Sequence, residues 1–106
     1  MGTLTYNGTL TVDFDDRLLV HLQVVIAAKL RRDESFMFSW SKPDDVGGHT
    51  SIWIDTRIPI SFDYVQSAMP GINRRWIEEL MATTYRTAGL QIVAEAGVDV
   101  VVPAEP

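Results

Sequence analysis

Four arginines, Arg31 and Arg32 and, further along, Arg74 and Arg75, are the side chains in this sequence whose placement most suggests contact with another molecule. Arg31 and Arg32 stand with Lys29 at the end of an apolar helical stretch, where the helix dipole favours cations. Arg74 and Arg75 fall in the first turns of a second helical stretch, where the dipole opposes them. They gain nothing locally, so an anion or an acidic partner is their natural counter-charge. The competing reading is a solvated pair, or one bridged to a nearby Asp or Glu. Trp53, if exposed beside such arginines, could stack a base, although a Trp at that spacing more often belongs to the core.

Other combinations read more weakly as chemistry. His21 and His49 are far apart and neither forms an HExxH or other close ligand pair, so no metal is expected. Ser39, Ser41, Asp44, Asp45, His49 and Asp55 lie near one another, and a serine hydrolase could be drawn from them. The GxSxG elbow that would expose such a nucleophile is missing. The acid pairs Asp15/Asp16, Asp44/Asp45 and Glu78/Glu79 read more simply as a helix cap, a turn and a solvated helix face. No glycine-rich strand-to-helix turn offers a phosphate cradle, and no cofactor is expected.

Composition narrows the field further. A chain of 106 residues, 46% hydrophobic and 22% charged, is expected to fold as one domain around a single modest core. Without cysteine it has no disulfide framework, no cysteine-based zinc site and no thiol nucleophile, which suits a reducing cytoplasm. The net charge of −5 has the wrong sign for a general phosphate-coating protein, so any nucleic-acid contact is expected to be local. No secretory apolar region precedes the first strand, and the longest apolar run, Val24 to Ala28, is far too short to span a bilayer.

The elements that position these residues are organised around Asp15 to Trp40. With Leu22 at zero on a helical wheel, Leu18, Leu19, Val25, Ile26 and Leu30 fall within about 80° of it, the stripe of a core-facing helix. Asp15 or Asp16 can cap its start. Val20, Val24 and Ala27 form a second apolar strip on its back, covered either by the rest of the chain or by a second copy. Ahead of the helix, residues 3–14 alternate about Asn7-Gly8, predicting a β-hairpin with Leu4, Tyr6, Leu10, Val12 and Phe14 on the buried face.

Beyond the helix, strand 35–41 places Phe36, Phe38 and Trp40 on one face, and 42–48 is a loop. Strand 50–57 turns Ile52 and Ile54 one way and Trp53 and Asp55 the other. Strand 60–65 begins at Pro59, and a helix from about Ile72 to Thr87 presents Trp76, Ile77, Leu80 and Met81 on one face, with Gly89 as its stop. A short strand over 90–95 completes an α+β two-layer sandwich in the order ββαβββαβ, an antiparallel sheet under two helices. Residues 1–95 are read as the domain and 96–106 as a tail, partly ordered or forming an added strand.

The blocks LxVVIxAKLRRxESFxFSW (Leu22–Trp40), SIWI (Ser51–Ile54), IPISF (Ile58–Phe62) and NRRWIEELM (Asn73–Met81), in this order, make the chain resemble a small uncharacterised actinobacterial domain family. Its members often carry the name ATP-dependent DNA ligase, and a similar domain can occur fused to ligase polypeptides. The resemblance covers roughly residues 1–95. A ligase of that class attacks ATP with the lysine of a KxDG motif, whereas the nearest string here, Lys42-Pro43-Asp44-Asp45, lacks the glycine. The resemblance therefore implies an accessory role without ligase catalysis, and the tail after Glu95 is longer than in the members it resembles.

The expectation is a non-catalytic, cytoplasmic binding module, with Arg31, Arg32, Arg74 and Arg75 engaging an anionic partner. DNA or a DNA-repair protein is the partner the resemblance suggests. The alternative is a structural or regulatory interaction domain that uses apolar surface, either the Val20/Val24/Ala27 strip, with Trp53 as a further interface residue, or a β-strand from the tail, forms a homodimer and touches no nucleic acid. A small enzyme using His21 or His49 is the third, favoured only if a concave polar pocket holds one of them.

Overall fold

The computed structural model describes residues 1–42, 46–66, 68 and 71–95. The amino-terminal hairpin forms as the alternation requires. Strands β1 (Gly2–Tyr6) and β2 (Leu10–Phe14) pair antiparallel with Leu4 opposite Val12 and Tyr6 opposite Leu10. Asn7 and Gly8 hold φ of 56° and 71°, and the Thr9 N–H donates to the Tyr6 carbonyl, as a turn with two left-handed centres demands. Leu4, Tyr6 and Phe14 are buried, with Leu10 and Val12 packed against them.

Helix α1 (Asp16–Arg31) is capped by Asp15, whose carboxylate accepts the Arg17 N–H at 3.1 Å. Its stripe of Leu19, Leu22, Val25 and Ile26 is buried in one cluster with Leu4, Phe14, Phe36, Phe38, Ile54, Trp76, Leu80 and Leu90. After a short turn in which Asp33 takes a positive φ, the chain reverses into β3 (Phe36–Ser41). Strand β4 (His49–Ile54) pairs antiparallel with β3, Ile54 opposite Phe36 and Ser51 opposite Ser39. Strand β5 (Ile60–Asp63) returns to β1.

The α+β class and the order ββαβββαβ are those expected, but the strands divide between two three-stranded sheets, β2-β1-β5 and β4-β3-β6. The last strand, β6 (Leu90–Gln91), is parallel to β3. Helix α2 (Arg74–Thr83) explains that direction. Asn73, just before it, bonds to His21, and Tyr85, just after it, lies against Lys29, so α2 runs in the same sense as α1. Each helix then reverses into a strand, and the two strands emerge parallel.

Helix α2 is shorter than the expected span to Thr87. The hydroxyls of Thr83 and Thr84 donate to the Leu80 and Met81 carbonyls, each at 2.6 Å, taking up acceptors that a further turn would use. Gly89 is consequently not the helix stop. It holds φ of 78° where the chain crosses β3, and a Cβ there would lie 2.1 Å from the Met37 carbonyl oxygen. Strand β4 also ends before the expected Arg57. Asp55 is buried instead of facing out, its carboxylate accepting the Arg57 N–H at 2.9 Å and the Ser35 hydroxyl at 3.3 Å. The expected tail, 96–106, lies outside the described residues, as do Asp44 and Asp45. Among the described residues no helix is long and apolar enough to cross a membrane.

Gly89→Ala combines a left-handed φ with a main-chain collision, and should cost about 3–5 kcal/mol in urea unfolding. Gly8→Ala, where φ is 71° and nothing stands within 4 Å, isolates the conformational cost alone and should lose about 1–2 kcal/mol. Equal losses would show that the approach to Met37 is not what fixes Gly89.

Candidate functional site

The arginines stand in two separate places. Arg74 and Arg75 begin α2 beside the His21 turn, whereas Arg31 lies roughly 15 Å further along α1 at about 1.5 Å per residue. Arg32 is within 3.4 Å of Glu34, and Arg75 within 3.4 Å of Glu79 one turn on. Arg31 and Arg74 are exposed and carry no ion pair among the described residues. Trp53 is 52% exposed, on the outer side of β4. The apolar strip on the back of α1 is broken: Val24 is exposed, Ala27 half-buried, and Val20 is buried at 1% exposure. Val20 is therefore unavailable to a partner, because the chain itself covers that part of the helix.

His21 is fully buried and both ring nitrogens are used. Nδ1–H donates to the Arg17 carbonyl at 2.6 Å, and Nε2 accepts the Asn73 N–H at 2.8 Å, which fixes a neutral tautomer. The ring packs on Trp76 with centroids 4.5 Å apart. Around it the chain end is pinned: Arg17 donates to both Glu95 oxygens, at 2.8 and 2.6 Å, Asn73 Nδ2 to Glu95 at 2.7 Å, and Trp76 Nε1 to the Val93 carbonyl at 2.8 Å. Burial lowers the His21 pKa, and the Arg17 guanidinium holds Glu95 down to about 2. With every donor and acceptor of the imidazole committed to main chain, this is a structural histidine.

His49 has different surroundings. Along β3 the side chains alternate, Phe36 and Phe38 inward, Met37, Ser39 and Ser41 outward, and across the register they face Trp53, Ser51 and His49. Ser39 also faces Gln91 on β6. Met37, Ser39, Ser41, His49, Ser51 and Gln91, with Trp40, with Thr87 and Ala88 of the turn after α2 and with Ile92 after β6, line a half-open trough of about 620 Å³ on the side of the sheet away from α1. Among the described residues its lining contains no Asp, Glu, Lys or Arg. The volume falls in the range of small-molecule sites.

Ser39, Ser41 and His49 thus converge, while Asp55 does not: it is held by Arg57 and Ser35 at the end of β4. Ser39 Oγ bonds to Ser51 Oγ at 2.7 Å and to the Ala88 carbonyl at 2.9 Å, and among the described residues no imidazole reaches it. Ser51, Gln91 and Thr87 were not singled out from sequence. The alternation of 37/39/41 and 49/51/53 carried the signal for the first of these; β6 and the turn reach the trough only through the fold.

Fold and site define a small α+β domain with a trough of mixed polar and apolar lining on an open sheet face, without Asp, Glu, Lys or Arg among the described residues. The chain belongs to the family described as domain of unknown function DUF7882, which matches residues 1–95. That span ends on Glu95, the residue that closes the clamp with Arg17 and Asn73. No curated protein and no solved structure matches the chain.

The clamp makes stability depend on pH. The folded His21 pKa lies below its ordinary 6.5, so the unfolded chain binds the proton more readily, and stability present above about pH 6.5 declines as pH falls below it. Glu95 adds a second loss, starting near its ordinary 4.5 and continuing down towards about 2. Thermal melts should therefore show a midpoint falling from pH 7 to pH 5 and falling again below pH 4.5. Glu95→Gln should flatten the lower limb and cost about 1–3 kcal/mol at pH 7, since Arg17 then lacks its carboxylate.

Proposed function

We propose that this domain is a non-catalytic binding module that takes a small ligand in the trough between β4, β3 and β6. The observation that carries the reading is the row Ser41/His49, Ser39/Ser51/Gln91 and Met37 on a paired sheet, concave and, among the described residues, without Asp, Glu, Lys or Arg. A rigid sheet holds such groups in fixed positions, so little ordering is needed on binding. The non-catalytic reading is supported by the Ser39 proton, which is given to a carbonyl rather than to a base; His49 in the lining is what the enzyme reading would use. The test is a small-fragment panel screened by amide chemical shifts. Shifts should cluster on Met37, Ser51 and Gln91, and Ser51→Trp, a change at an exposed position, should abolish them while altering stability by no more than about 1 kcal/mol. Shifts scattered over the whole surface would count against the trough.

A second reading is favoured by Arg31 and Arg74, both exposed without an ion-pair partner among the described residues. On it the helix pair meets an anionic partner, and an accessory role beside a DNA ligase or repair protein, in the cytoplasm, is its narrow form. It predicts DNA binding that weakens steeply with salt, and a loss of that binding when Arg31, Arg32, Arg74 and Arg75 are all changed to Ala. Wild type and variant equally inert at low salt would remove it. Self-association is the remaining alternative; with Val20 buried, the helix strip offers it Val24 and part of Ala27, and Trp53 stands exposed on β4.

A further inference from the structure

Hydrogen bonding at the floor of the trough has a direction. Ser39 Oγ has one proton and two neighbours, the Ala88 carbonyl oxygen at 2.9 Å and Ser51 Oγ at 2.7 Å. A carbonyl cannot donate, so the Ser39 proton goes to Ala88, and the Ser51 proton must go to Ser39. The relay Ser51 to Ser39 to Ala88 uses both hydroxyl protons inside the protein. What Ser51 turns towards the trough is lone pairs. Ser39 is 8% exposed and sits opposite Ser51 in the register, so the relay is built into the sheet.

An acceptor at the floor repels anions, and among the described residues no Lys or Arg in the lining offsets that. Among the described residues the lining also lacks Asp and Glu, so a cation gains no counter-charge there to offset its desolvation. Around the floor, Gln91 brings an amide that both donates and accepts, and His49 an imidazole that as the neutral ring does the same. One end is apolar, with Met37 in the lining and the half-exposed Trp53 opposite it in the register. Trp40 also lines the trough, its ring packed 5.9 Å from Phe14 and 4.8 Å from Phe38. A neutral ring bearing several hydroxyls on one side and C–H groups on the other matches each of these features.

Resting on the trough as the binding site, we propose that its ligand is a neutral carbohydrate, bound with a hydroxyl donating to Ser51 Oγ and discriminated from sugar acids and sugar phosphates. The full chain, labelled for amide shifts, is titrated with glucose and cellobiose, with glucuronate and glucose 6-phosphate, and with N-methylacetamide and indole. Saturable shifts at Ser51 and Gln91 with the neutral sugars, at least about tenfold weaker with their charged counterparts, are expected. Ser51→Ala should weaken the neutral sugars about five- to tenfold, and Gln91→Leu by a similar factor. Charged sugars binding as tightly as neutral ones, or only the amide and indole shifting the trough, would overturn the carbohydrate assignment and leave the trough as a site. Probes that shift nothing in the trough would overturn both.

Discussion

One buried helix face holds together two sheets that share no strand. Leu19, Leu22, Val25 and Ile26 of α1 lie in one cluster with Leu4 and Phe14 from the first sheet and Phe36, Phe38 and Ile54 from the second. At roughly 1.5–3 kcal/mol for each fully buried side chain, those four contribute on the order of 6–12 kcal/mol, an upper figure because an unfolded chain already hides part of that surface. Exposed ion pairs such as Arg75 with Glu79 add at most about 1 kcal/mol each. The apolar face therefore decides the architecture, and the direct hydrogen bonds between the sheets, such as Tyr6 hydroxyl to Trp53 carbonyl, trim the fit.

The same arrangement leaves one sheet face open. Both helices are taken up on the inner side, with α2 lying along α1 through Trp76 and Leu80, so among the described residues no helix covers Met37, Ser39 and Ser41. The turn after α2 covers only the edge of that face, and Gly89 lets it approach the β3 main chain closely enough to bury Ser39 under the Ala88 carbonyl. A flat outer face becomes a trough because a residue without a side chain stands at that crossing.

The chemistry of the two histidines diverges for the same reason. His21 lies where α1 meets the start of α2, and its nitrogens serve main-chain groups at both sides of the junction. His49 begins an exposed strand at the mouth of the trough. One residue type supplies a buried joint in the first case and an exposed, trough-lining group in the second, and burial separates them.

Local patterns in the chain were enough for the hairpin, α1, the inward faces of β3 and β4 and the class of the fold, since period, turn chemistry and capping act within a few residues: Asn7-Gly8, the Asp15 cap and the Leu19/Leu22/Val25/Ile26 stripe each read correctly. The early end of α2 was less legible, because Thr83 and Thr84 compete for carbonyls in a way that apolar spacing does not record. The division into two sheets, the parallel β6, the separation of the arginine pairs and the clamp from Arg17 to Glu95 were decided by tertiary structure. They depend on which distant segments share the core, and contacts such as Glu95 on Arg17 or Ser39 on Ala88 join residues whose spacing in the chain carries no periodic signal.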